Sequence, residues 1–263
     1  MEKPRVLIGA SVCQKPVILR KFLEALAELE LDEFEVKFLF IDDNQDVDSS
    51  EMLRGFELGH EVEVREAKPR NEAYFADEHT HHWTPKLALR VADAKNGIIA
   101  EAIEGDYDYL FLVDSDLVID AGLVQHLYEQ DKCVISEVFW TKWAPDTIEM
   151  PNVWLWDTYE MSHPSQAIEV RQKETFEFLE MLRVPGVYEV GGLGACTLIK
   201  VGVLKRGVDF TPIANLSFWG EDRWFCVRAA VAGVGLWADT HLPPMHLYRE
   251  SDLGEMKVRE MGE

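Results

Sequence analysis

Short apolar runs of strand length alternate with longer stretches in which apolar residues recur every three or four positions. "RVLIGA" (5–10) is the first such run. In "KPVILRKFLEALAELE", which follows, Pro16 suits the first turn of a helix, and Leu19, Phe22, Leu23, Leu26 and Leu29 recur at helical spacing. "EVKFLFIDDN" (35–44) predicts a second strand ending in Asp42 and Asp43, and "HEVEVRE" (60–66) alternates like a third. Residues 66–83 lack a period and read as a loop. Thr84 and Pro85 mark the next helix start, Leu87, Val91, Ala94, Ile98 and Ala102 carry its stripe, and Gly105 fits its stop. "YDYLFLVDSD" predicts a strand, "AGLVQHLYEQ" a helix capped by Asp120, and "KCVISEVFW" another strand. This order argues for an α/β fold with an open, mostly parallel sheet.

The texture changes near residue 141. "TKWAPDTIEMPNVWLWDTYEM" is rich in Trp and Pro, a helix is expected around 172–183, and "GVYEVGGLGACTLIKVGVL" is Gly-rich and then strand-like. "WGEDRWFCVRAAVAGVG" reads as a loop entering a helix that stops near Gly233 or Gly235. With no repeat or linker in view, one domain over 1–263 is the expectation, its residues 251–263 forming a charged tail.

Composition narrows the function. The formal net charge of −22, from 48 acidic and 26 basic residues, argues against a nucleic-acid partner, whose phosphates call for a basic surface. Cys13, Cys133, Cys196 and Cys226 are scattered without a CxxC pair, as expected of thiols in a reducing compartment. The chain opens directly into a strand-like run and has no stretch approaching the ~20 apolar residues of a membrane span. The expectation is a soluble, cytoplasmic protein with no transmembrane segment.

The candidate chemistry lies where an apolar run ends in charge. In an extended chain Asp114 and Asp116 point to the same side, and open α/β sheets bind ligands beyond the carboxyl ends of their strands. Two like charges at close range invite a cation, and oxygen donors favour Mg²⁺ or Mn²⁺. The plain alternative is a turn or helix cap. Glu221 and Asp222 precede a helix, where the macrodipole alone would favour them. "DTHLPPMHLYRE" adds His241 and His246 around a Pro-Pro turn.

In their order and spacing, "VLIGAS", "FIDDN", "AKNGIIAEA", "GDYDYLFLVDSD", "GGLGACTLIK", "WGEDRWFCVRA" and "PMHLY" resemble a GT-A-fold glycosyltransferase, nearest the large family two group. The resemblance implies a Rossmann-like central sheet flanked by helices. It also implies a nucleotide-sugar-binding half (1–120), an acceptor and catalytic half (121–250) and a UDP- or GDP-sugar donor. Ala10, Ser11 and Asp42 or Asp43 would border the nucleotide. Lys95 and Asn96 match the family's frequent Arg-Asn pair beneath the donor, with Lys losing the planar fork. Asp114, Ser115 and Asp116 would approach ribose and metal, and Gly192 and Gly194 would let backbone pass close to the sugar. The metal, Mn²⁺ or Mg²⁺, would be held by Asp114, Asp116 and His246, with His241 the other candidate. Asp222 matches the catalytic base of inverting members, with Glu221 beside it free to orient the acceptor. The acceptor, be it glycan, protein or lipid, is left open.

Trp219 is a further candidate ligand contact, whereas core packing accounts for at least half of Trp140, Trp143, Trp154 and Trp156. His79, His81 and His82 match no zinc spacing and read as part of a solvated loop over the donor site, from which Lys68 and Arg70 could reach a phosphate. A nucleotidyltransferase of similar topology and a non-catalytic glycan-binding protein are the competing readings. The first calls for a Gly-rich, Arg-bearing phosphate loop after the opening strand, which this sequence does not have.

Overall fold

Alternation along the strands sorts the core into two layers. In the computed structural model, which describes residues 3–69, 74–75, 77–156, 159–216, 220–254 and 256, eight strands form one sheet. They are β1 (Arg5–Val12), β2 (Glu35–Asp42), β3 (Glu61–Glu66), β4 (Tyr109–Leu112), β5 (Val134–Glu137), β6 (Val187–Val190), β7 (Thr197–Lys200) and β8 (Leu236–Asp239). The order is β6-β8-β5-β7-β4-β1-β2-β3. The pairs β1–β2, β1–β4, β2–β3 and β5–β8 are parallel; β7 runs antiparallel to β4 and β5, and β6 to β8. The sheet is therefore mostly parallel, as its sequence pattern predicts.

Among the described residues a four-residue helical turn, Val201–Leu204, follows β7, and the longer helices are α1 (Pro16–Ala27), α2 (Val47–Arg54), α3 (Pro85–Glu104), α4 (Leu123–Glu129), α5 (Ile168–Met181) and α6 (Asp222–Val231). Val6, Ile8, Ala10, Phe38 and Phe40 pack with the buried residues of α1 and α4, such as Phe22, Leu26 and Leu127. Their neighbours in sequence, Leu7, Leu39 and Ile41, join Ala92, Ile98 and Ile99 of α3 and Phe225 and Ala229 of α6. Thus the period of two in the strands and the apolar stripe in each helix specify opposite faces.

The helix start at Thr84 is as the sequence reads: its side chain accepts a hydrogen bond from Leu87 N at 3.2 Å, and Gly105 ends the helix. Three expectations are corrected. The helix read over 172–183 begins at Ile168 and ends at Met181. Asp120 does not cap α4: Gly122 holds that position, and the Asp120 carboxylate accepts from Gly122 N at 2.8 Å, closing the turn before it. The run "KCVISEVFW" contributes only four residues to β5, because the chain beyond turns into a small ladder pairing Trp140–Thr141 with Met150–Pro151. No helix among the described residues is long and apolar enough to cross a membrane.

The Phe38 side chain is fully buried and packs 6.1 Å from the Phe40 ring. Phe38→Ala is expected to lower stability by about 3–5 kcal/mol in denaturant unfolding. A loss below about 1 kcal/mol contradicts this packing.

Candidate active site

Register gathers the acidic strand ends on one edge. Val12 pairs with Asp42 and Gly9 with Leu112, so Ser11, Asp43 and the segment from Asp114 to Asp116 emerge together. Ala10 and Ser115 are buried, and Ser11 is half-buried. Leu117–Val118 then pairs antiparallel with Met245–His246, and Leu247 N donates to Asp116 O at 2.8 Å. This short ladder places His246 Nε2 3.4 Å from Asp116 Oδ2. The other ring nitrogen, Nδ1, is hydrogen-bonded with Thr141 Oγ1 at 2.6 Å. Gln14 Nε2 also donates to Asp116 Oδ2, at 3.4 Å, whereas Asp116 Oδ1 is buried with no hydrogen-bond partner among the described residues. Burial raises the Asp116 carboxyl, but the His246 and His81 rings outweigh it and hold it below its ordinary value.

Helix α3 lies close enough to β1 that a Cβ on Gly9 would fall 2.4 Å from Ile98 Cγ2. That approach brings Lys95 beneath the cleft. Its buried ammonium donates to Glu221 Oε1 at 2.9 Å and Asp222 Oδ1 at 3.0 Å, and Asp114 Oδ1 lies 3.9 Å away. One positive charge faces three carboxylates. Burial first, and then the Glu221 and Asp114 charges, push the Asp222 carboxyl up to about 7 against the pull of Lys95. Burial also works against the Lys95 ammonium, but Asp222 and Glu221 hold it well above its ordinary value. The Glu221 side chain is 5% exposed and that of Asp222 24%, so Asp222 is the more open of the two.

The glycines expected to approach a sugar make room for the protein itself. A Cβ on Gly194 would stand 2.6 Å from Asp222 Oδ2, and one on Gly192 would stand 1.9 Å from the Trp154 ring. Asp42 is buried, accepts from Asn44 and Ser50 at 2.9–3.1 Å, and has Arg54 at 3.2 Å. Asp43 is clamped by Arg90, whose Nε donates to Oδ2 at 2.7 Å. Asn96 is turned to another segment: its Oδ1 accepts from Phe210 N at 2.9 Å and its Nδ2 donates to Thr211 Oγ1 at 3.3 Å. Lys68 pairs with Asp93 at 2.8 Å. Arg70 and Trp219 lie outside the described residues. Trp154 is in the core and Arg183 covers Trp140, while Trp143 and Trp156 are exposed.

The two candidate histidines separate. His246 stands beside Asp116, whereas His241 Nδ1 lies 3.0 Å from Asp239 Oδ1. His81 is neither a ligand of the aspartates nor simply solvated: it stacks on Tyr248 with centroids 4.0 Å apart, and Arg249 Nη2 donates to His79 O at 2.8 Å. Gln14, Arg90, Thr141 and Tyr248 carry no sequence signal for these contacts, because each partner is far away along the chain.

No protein-family profile matches the sequence, and no curated protein does. Solved structures do. The fold is similar to that of the mannosyltransferase PcManGT from Pyrobaculum calidifontis, solved with GDP-Man and Mn²⁺, at 12% identity and a TM-score of 0.54, over 98% of this chain and 61% of that one. It is also similar to TarS of S. aureus at 13% identity and a TM-score of 0.50, over 91% of this chain and 36% of that one. The chain spans less than two thirds of the length of either protein. The sheet, its flanking helices and these likenesses establish a GT-A fold.

The Asp222 environment predicts a pH dependence. An unfolded Asp loses its proton near 3.8, but the folded residue keeps it until about 7. Between those values the folded chain binds the extra proton, so this contribution to stability is full at low pH and is lost as pH rises through the folded value. In urea unfolding from about pH 4 to about pH 7, Asp222→Asn is expected to flatten the fall in stability. An unchanged slope contradicts the shifted carboxyl.

Proposed function

We propose that the chain is a metal-dependent, inverting glycosyltransferase that moves a sugar from a UDP- or GDP-linked donor to an acceptor hydroxyl. The observation that carries this reading is Asp116: a buried carboxylate with one orphaned oxygen, 3.4 Å from an imidazole, at the carboxyl end of a parallel sheet. An unpaired buried oxygen costs free energy that a cation would recover. By donor type Asp116, half-exposed Asp114 and His246 suit Mn²⁺ or Mg²⁺, but only Asp116 and His246 stand together: the ligand atoms of all three do not fall within 4.8 Å of one another, so binding would have to draw Asp114 in from Lys95. An Nδ1–H donated to Thr141 would leave His246 Nε2 as the coordinating nitrogen. When bound, such an ion would neutralise charge growing on the leaving diphosphate.

The chain's own groups supply the rest. Ser11, Asp42, Asp43 and the backbone around Ser115 border the proposed nucleotide site, Asp42 and Asp43 mainly by shaping the loop. Residues 1–120 form the donor half and 121–250 the acceptor half in this reading. Asp222 accepts the proton of the acceptor hydroxyl as its oxygen attacks the anomeric carbon. A value of about 7 suits a base working near neutral pH. Lys95 orients Asp222 through Oδ1, and Gly194 leaves space at Oδ2. Glu221, more deeply buried and held by the same ammonium, is a positioning residue. The Mn²⁺ and GDP-Man bound to PcManGT support this reading by analogy of fold.

A panel of sugar nucleotides incubated with Mn²⁺, with free nucleotide measured, tests the proposal. One donor is expected to be hydrolysed in a metal-dependent way, and transfer is expected to give the opposite anomer. Asp222→Asn is expected to slow transfer ~10²- to 10⁴-fold while calorimetric donor binding persists. If nucleoside diphosphate affinity is indifferent to both Mn²⁺ and Asp116→Ala, the proposal fails.

A further inference from the structure

We infer that His126, Asp239 and His241 form a second cation site, for a transition ion of the zinc class, at the carboxyl end of β8. These three residues are separate from the Asp114, Asp116 and His246 set.

The three side chains come from different elements. His126 sits on α4, Asp239 ends β8, and His241 lies on the segment leaving that strand. Their candidate ligand atoms all fall within 4.8 Å of one another. His126 Nε2 is 3.1 Å and His241 Nδ1 3.0 Å from Asp239 Oδ1. Adjacent ligands at bonds of about 2.0–2.1 Å stand roughly 3.0 Å apart around an octahedral ion and about 3.4 Å apart around a tetrahedral one. The separations therefore lie at the octahedral value, and small ring movements reach the tetrahedral one. Two imidazoles with one carboxylate favour zinc-class ions over Mg²⁺ or Ca²⁺.

A second observation points to a ligand. Asp239 pairs in register with Glu137 of β5, and both residues are fully buried. Among the described residues no N–H or hydroxyl group donates to Asp239 Oδ2 or Glu137 Oε2; the two carboxyls are within hydrogen-bonding reach only of each other, and Glu137 Oε1 accepts from Leu242 N at 2.9 Å. Among the described residues no lysine or arginine forms an ion pair with either carboxyl, the ion-pair partners of Asp239 being the two histidines. Two buried carboxylates side by side are costly unless a proton or a cation stands between them. An ion on Asp239, with Glu137 behind it as an outer partner, removes that cost. The histidine side chains are 23% and 39% exposed, so water can complete the shell. The ion would fasten α4 to the segment that continues through Pro243 and Pro244 to His246.

The test uses the full chain stripped of metal and titrated with Zn²⁺, with bound metal counted by elemental analysis and melting followed by circular dichroism. The Asp116→Ala variant, which lacks the other proposed site, is expected to retain one equivalent and to melt higher with Zn²⁺. Adding His126→Gln and His241→Gln to that variant is expected to remove the equivalent and the shift, while the metal-free circular dichroism spectrum stays folded. With Asp116 intact, the two histidine substitutions alone are expected to leave Mn²⁺-dependent nucleotide binding in place, separating this site from the proposed catalytic one. The inference is overturned if Asp116→Ala binds no Zn²⁺, or if stoichiometry is unchanged by the two histidine substitutions.

Discussion

The buried ammonium of Lys95 faces Glu221, Asp222 and Asp114, and the cleft is arranged around that imbalance. The ammonium ties the start of α6, remote in sequence, to α3 and to the chain just beyond β4. Its own burial is tolerable only because the carboxylates are there, and the carboxylates are tolerable together only because it is there. Gly9 and Gly194 serve this arrangement directly: the first lets α3 close on the sheet, and the second leaves space for the Asp222 carboxylate. The charges do not balance, and burial first, with the surplus added to it, gives Asp222 its affinity for a proton.

A second imbalance sits a few residues away at Asp116. The chain carries a formal charge of −22, so an anionic donor of the kind proposed would be repelled at long range. Local groups must reverse that field. In the proposed reading a divalent ion at the orphaned Asp116 oxygen would do so, because Lys95 is already committed to three carboxylates. The contact of Tyr248 and Arg249 with the loop at His79–His81 stands on the same side, so this loop is anchored to the segment that carries His246.

Much of this was legible before any coordinates. A period of two in "VLIGA" and "KFLFI", and the stripe from Leu87 to Ala102, dictate which faces pack. Thr84, Pro85 and Gly105 punctuate α3 by local chemistry. Asp114 and Asp116 stood out because no buried strand needs charge at its end. The choice between His241 and His246 was not legible, because both follow β8 closely and only the ladder with Leu117 tells them apart. Lys95 was visible as a residue but not as the counter-charge to α6, a pairing set by how closely α3 meets β1. Gly192 and Gly194 illustrate the same limit: sequence says that backbone must be bare there, and only packing says that Trp154 and Asp222 are the reason.

The most direct measurement is anomalous diffraction at the manganese edge from crystals grown with Mn²⁺ and a nucleoside diphosphate. The account predicts a peak within about 2.0–2.4 Å of an Asp116 oxygen and of His246 Nε2, bridged to the diphosphate. A diphosphate bound in the cleft with manganese absent from Asp116, or bound elsewhere, would contradict it.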